Sequence, residues 1–304
     1  MSSWYRAVTA KLPTRVNTVI RRLAIASLIG QAVLIGTGGA VRLTASGLGC
    51  PTWPKCTADS LVNTPEMGIH GFIEFGNRAL TFVLAFVALA MLVFLWNLRK
   101  ERKDLFWLAF GLLASIPAQA VIGGLSVLTK LNPWVVGLHF LVSAALVVFA
   151  TLLVNRAYDR PPRSQAAVRP LLRQLALTSA VLVGITVVIG VMVTGSGPHA
   201  GDANAPRNGL DSDLITRIHV LPVYLLVAVS VLLLIFCWKR GRGDLLRSAS
   251  LWLFATLILQ AAIGYVQHFT GLPPLLVGMH MLGAAAMLAA GTNMADVALR
   301  SRKA

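Results

Sequence analysis

Eight long apolar runs, separated by short polar stretches, set the pattern of this chain. They fall at about 20–41, 69–96, 105–128, 135–155, 173–195, 214–238, 248–269 and 275–298. Each is long enough to cross the hydrocarbon core of a bilayer as a helix, which takes about 20 residues. The pattern predicts an all-α integral membrane protein of eight transmembrane helices. The first run follows a basic amphipathic start and has no small-residue cleavage site before the next polar loop. It therefore reads as a membrane span and not as a secretory signal.

An even number of spans puts both termini on one side. All but six of the 27 Lys and Arg residues fall on that side, the exceptions being Arg42, Lys55, Arg78, Lys130, Arg207 and Arg217. By the positive-inside rule both termini are expected in the cytoplasm. The composition agrees, with 56% hydrophobic and 12% charged residues, where a soluble domain carries about twice that share of charge. The formal net charge of +16 is thus explained by topology signals in short loops, and nucleic-acid binding is not expected.

A segment is written twice. Gln119 to His139 reads QAVIGGLSVLTKLNPWVVGLH, and Gln260 to His280 reads QAAIGYVQHFTGLPPLLVGMH. Both keep Gln-Ala, Ile-Gly, a Pro and a final Gly-x-His without a gap. The repeat extends to IGTGGAVRLTASG (35–47) in the first span and IGVMVTGSG (189–197) in the fifth. The chain is therefore expected to be two pseudo-symmetric four-helix bundles in the same orientation, related by an axis along the membrane normal. The expected parts are a cytoplasmic segment at 1–22, a first bundle at 23–155, a cytoplasmic linker at 156–172, a second bundle at 173–298 and a tail at 299–304.

All six histidines lie in the outer half of this topology. His219 and His280 sit at similar depth on separate spans. Two imidazoles facing each other across a bundle can ligate heme iron axially, or they can hydrogen-bond between helices. Within a duplicated frame, ligation is the reading we carry forward. The interval from His219 to His280, counted back from His139, lands beside Asn77. The halves are thus chemically unequal, one with two histidines and the other with His139 opposite an amide. His70 lies two helical turns before Asn77 and shares its face with Glu74.

Glu74 is the only acidic residue well inside an expected span, where an ionisable group is costly and marks function by default. Arg78 at i+4 offers the competing reading of a structural ion pair. Cys50 and Cys56 flank PTWPK in the first outer loop. On an oxidising face they read first as a disulfide, with metal binding the weaker reading. Cys237, near the cytoplasmic end of the sixth span, reads as a packing residue. His199, in GSGPHAGD, is either a ligand-contacting loop residue or part of a plain turn. His268 replaces Leu128 of the other copy and reads as structural.

The runs LTASGLGCPTWPKC, IEFGNR and TGSGPHAGD, with the Gly-x-His openings of the fourth and eighth spans, together resemble the bacterial, eight-span heme A synthase family. The resemblance covers nearly the whole chain. It implies oxidation of the C8 methyl group of heme O to the formyl group of heme A, for cytochrome oxidase, by a protein of the bacterial cell membrane. It implies that His219 and His280 hold a heme B cofactor, that His139 binds the substrate heme, and that Glu74 is catalytic. The family has a further histidine where Asn77 stands here, so either His70 takes the second axial position on the substrate heme, with the helix start rotated or unwound, or that iron is five-coordinate. The family's loop cysteine pair matches Cys50 and Cys56. The implied partners are heme O and heme A, heme O synthase, cytochrome oxidase assembly factors, an electron-transfer partner and membrane lipid. A membrane di-heme cytochrome b is the competing function. It predicts two complete histidine pairs, usually on both sides of the membrane. A transporter would instead place polar residues at mid-membrane.

Overall fold

The structure, a computed structural model, describes residues 9–159, 168–240 and 244–300. The central part of the expected linker, the first eight residues and the last four lie outside the described residues. So do the topology signals Arg6, Arg160, Arg163, Arg242, Arg302 and Lys303.

Each apolar run is one helix. In chain order they are α1 (Thr18–Leu43), α2 (Gly68–Phe94), α3 (Lys103–Leu128), α4 (Pro133–Ala157), α5 (Pro170–Ser196), α6 (Ser212–Trp238), α7 (Leu245–Phe269) and α8 (Pro274–Arg300). All eight are long and apolar enough to span a membrane. The helices overrun most of the apolar runs by a few residues because polar caps lie just outside them. Asn17, Asp211 and Asp244 each accept a hydrogen bond from a main-chain N–H three residues on, satisfying a donor that a helix start leaves free. Pro133 and Pro170 open α4 and α5, where the missing N–H costs nothing.

Large apolar side chains face outward. Phe82, Phe86 and Trp107 are 77%, 72% and 62% exposed, a surface that water would not tolerate over this extent and that lipid does. The protein is a multi-pass membrane protein.

The helices pack as two closed rings. In one, α1 lies on α2 and α4, and α3 lies between α2 and α4. In the other, α5 lies on α6 and α8, and α7 lies between α6 and α8. The rings meet through α1 with α8, α4 with α5, and α4 with α8. Exchanging each helix for the one four places away leaves this set of contacts unchanged.

The buried apolar core fills one end of each ring. In the first it includes Ile20, Met91, Leu95, Leu105, Leu112 and Leu153. In the second it includes Leu172, Val183, Leu226, Leu233, Leu253 and Met294. Cys237 is part of this second core. The histidines stand beyond it, toward the other end. His219 precedes Leu226 by two turns, about 10 Å along the axis.

Candidate heme site

Three histidines are built alike. His139 on α4 lies edge-on to Gly123 of α3, where an added Cβ would stand 3.3 Å from its Cε1. His280 on α8 meets Gly264 of α7 at 3.4 Å, and His219 on α6 meets Gly190 of α5 at 3.0 Å. Each ring thus rests against the backbone of the preceding helix, and a methyl group there would press on the imidazole. In His139 and His280, Nδ1 is buried without a hydrogen-bond partner. A buried polar nitrogen without a partner is costly unless something else binds the ring.

The fourth corresponding position is different. Asn77 on α2 accepts a hydrogen bond from Thr37 of α1 at 2.7 Å. Thr37 directly follows Gly36, the glycine of the Ile-Gly pair that corresponds to Ile189-Gly190. The asymmetry expected from the sequence is therefore present in the contacts: glycine behind imidazole at three places, threonine bonded to amide at the fourth.

The glycine seats are what residue-by-residue reading missed. The signal was available, since Ile-Gly at 122–123, 189–190 and 263–264 recurs one helix before each histidine.

Glu74 is 5% exposed. The Cys50 N–H donates to its Oε2 at 2.7 Å, and Arg78 donates to its Oε1. Arg78 also donates to the carbonyls of Cys50 at 3.1 Å and Thr52 at 3.3 Å. The pair therefore clamps the first interhelical loop to α2. Glu74 and Arg78 form an ion pair, and the pair carries the loop with it. Cys50 and Cys56 form a disulfide and are fully buried. Gly49 is required beside them, because a Cβ there would collide with the His70 carbonyl.

His70 is exposed, and its Nδ1 pairs with Ser46 Oγ at 2.9 Å. His199 Nε2 pairs with the Leu272 carbonyl at 2.8 Å, which ties the α5–α6 loop to the α7–α8 turn. His268 is exposed and lies edge-on to Phe269. Among the described residues, no three His, Cys, Asp or Glu side chains gather as a metal-binding group. The donor set is paired imidazoles, which suits a porphyrin iron already held by four ring nitrogens.

At the opposite end a second buried acid appears. Asp296 of α8, 4% exposed, accepts from both terminal nitrogens of Arg156 at 2.6 and 2.8 Å and from Asn155 at 3.0 Å. It lies near the end of the eighth apolar run, where the sequence alone does not separate a buried acid from an exposed one.

Residues 21–209 match the sequence model of the COX15-CtaA family, described as cytochrome oxidase assembly protein. The chain belongs to this family. Relatives of the chain carry the name heme A synthase. The protein of Symbiobacterium thermophilum is 27% identical over 81% of this chain and 84% of its own. That of Bradyrhizobium diazoefficiens is 28% identical over 88% and 87%. That of Lysinibacillus sphaericus is 30% identical over 47% and 48%, so this match spans about half of either protein. The chain thus carries its three glycine-backed histidines as a member of a cytochrome oxidase assembly family.

Proposed function

We propose that this chain is a heme A synthase, an oxidoreductase that converts the C8 methyl group of heme O to the formyl group of heme A for cytochrome oxidase. The observation that carries this reading is the inequality of the two rings. One ring has two glycine-backed imidazoles, His219 and His280. The other has a single such imidazole, His139, opposite Asn77. A fixed cofactor suits the first arrangement, and a substrate that must arrive and leave suits the second. The relatives named heme A synthase support the same conclusion.

In this reading residues 173–298 form the cofactor bundle and 23–155 the substrate bundle. His219 and His280 hold heme B, and Gly190 and Gly264 set the planes of their rings. When bound, heme B would supply one-electron chemistry between the substrate bundle and an electron partner. His139 holds the substrate heme on one face. His70 or Asn77 stands on the side where the family's further histidine would lie. The conversion is a four-electron oxidation of the methyl carbon to a geminal diol, which loses water; with both hydroxyls taken from water, the four electrons pass to the electron partner and the four protons to solvent. Glu74 is the acid–base or charge-stabilising residue of this site, and its two oxygens also order the loop above it. The protein works in the bacterial cell membrane with both termini in the cytoplasm, receiving heme O from its synthase and passing heme A to oxidase assembly factors.

The deciding experiment is expression with a source of heme O, extraction of the hemes and their separation by chromatography. Appearance of the formyl product supports the synthase. Unchanged heme O beside two bound b-type hemes makes the chain an electron-transfer cytochrome instead.

A further inference from the structure

Trp53 sits at the tip of the disulfide loop, between Thr52 and Pro54. It is half-buried, and its indole lies directly on Gly124 of α3. A Cβ on Gly124 would collide with the indole, standing 2.7 Å from Cγ and nearer still to Cδ2. Gly124 is buried on the same helix as Leu105, Ala109, Leu112 and Val127, and it adjoins Gly123, the seat of His139. A loop tryptophan therefore packs on the helix position next to the one that backs His139.

The position of the indole is fixed from both sides. Arg78 holds the Thr52 carbonyl at 3.3 Å and the Lys55 carbonyl at 3.5 Å, bracketing Trp53. Glu74 anchors Arg78 and the Cys50 N–H, and the Cys50–Cys56 disulfide closes the loop. The second ring has no counterpart. In the repeat, Tyr265 occupies the place of Gly124, and its hydroxyl pairs with that of Tyr224 on α6 at 2.8 Å. The loop from α5 to α6 contains no tryptophan. Tyr265 is exposed, whereas the first ring has at this position a glycine covered by a loop indole.

We propose that Trp53 is a positioning residue for the substrate: its indole forms a wall against the heme held at His139, and Gly124 is the seat that admits it. The inference rests on the assignment of the first ring as the substrate bundle. A flat, polarisable indole stacks well on a porphyrin edge or face. The loop's anchors at Glu74 and Arg78 then act on substrate partly through Trp53.

The test uses the full chain in lipid nanodiscs loaded with heme O. Three quantities are read: the rate at which heme O passes to apomyoglobin, the KM and kcat of conversion, and the spectrum of the bis-imidazole heme. Trp53→Ala should raise heme O loss and KM about tenfold, the equivalent of one aromatic contact, with kcat at saturation changing less. Trp53→Phe should restore most of the wild-type value. Gly124→Tyr, which displaces the indole while leaving Trp53 in place, should reproduce the Trp53→Ala defect. The bis-imidazole spectrum should stay unchanged in all three. Unaltered heme O loss and KM in Trp53→Ala would overturn the proposal, as would equal loss of the bis-imidazole heme. A wild-type chain that binds heme O but never converts it would overturn the synthase assignment, and the proposal with it. A wild-type chain that converts normally, beside variants with unaltered retention, would remove the Trp53 proposal alone.

Discussion

A glycine behind a histidine is a weak feature taken once and a strong one taken three times. At Gly190 the space is tightest, with a Cβ 3.0 Å from the His219 ring. Gly190→Ala should therefore disturb the paired-imidazole heme more than Gly264→Ala, where the corresponding distance is 3.4 Å. The reduced α-band of the bound heme, broadened or shifted, would show it, and an unaltered band in Gly190→Ala would remove the seat argument. His219→Ala and His280→Ala should each abolish the bis-imidazole spectrum, whereas His139→Ala should preserve it and lose substrate. Glu74→Ala should stop conversion and leave that spectrum intact. Because Glu74 holds the Cys50 N–H and Arg78, Glu74→Gln should keep more of the loop order than Glu74→Ala. Protection of the loop from proteolysis distinguishes the two variants. The histidines and Glu74 were legible in the sequence because rare polar residues stand out in apolar runs. The partners of Glu74 were not, since main-chain donors such as Cys50 N–H leave no mark on residue type. Trp53 was invisible as a contact because loop tips carry no periodicity to place them.

The α3–α4 and α7–α8 connections are the same turn. Lys130 and Leu131 have φ of 54° and 60°, and Gly271 and Leu272 have 77° and 60°. In both, the leucine N–H bonds back to the helix at 2.7 Å, on Ser126 and Gln267 respectively. This is the six-to-one bond of a helix ending in a left-handed residue. Glycine holds that conformation freely and lysine does not. Lys130→Gly should accordingly raise the thermal midpoint of heme retention, by an amount corresponding to about 1 kcal/mol. A fall in the midpoint would mean that Lys130 makes a compensating contact. The repeated turn was legible because both copies lie in one ungapped alignment. The loop-to-loop bonds at the same end were not. Gly47 N–H donates to the Gly201 carbonyl at 2.8 Å, and Arg42 donates to the carbonyls of His199 and Thr194 at 2.5 Å. These join segments far apart in sequence and depend on how the rings settle against each other.

Across the whole molecule, the rings are fastened at both ends. The Arg42 and Gly47 bonds tie the histidine-bearing end. The Asp296, Arg156 and Asn155 cluster ties α4 to α8 at the other. Removing one partner of a buried ion pair strands the other, at a cost of about 3–5 kcal/mol. Asp296→Ala should therefore lower thermal stability sharply, and Asp296→Asn less, while the bis-imidazole spectrum at the remote end stays unchanged at low temperature. Heat-induced loss of heme absorbance measures both. Equal stability of Asp296→Ala and wild type would show that the cluster is wet and weak. The eight-helix plan and its duplication were legible from apolar length and repetition. The choice of α4 and α8 as the central pair was not, because every helix is apolar on most of its circumference and no stripe singles out the inner face.

The set of ring-to-ring contacts is unchanged when the halves are exchanged. That is the geometry of two identical four-helix chains meeting across a two-fold axis, each offering the same patch to the other. In a single chain each half carries its own residues: one has both imidazoles, and the other has Asn77, a loop tryptophan and a glycine where its sister has Tyr265. A symmetric dimer of identical chains could not have made one change without making it twice.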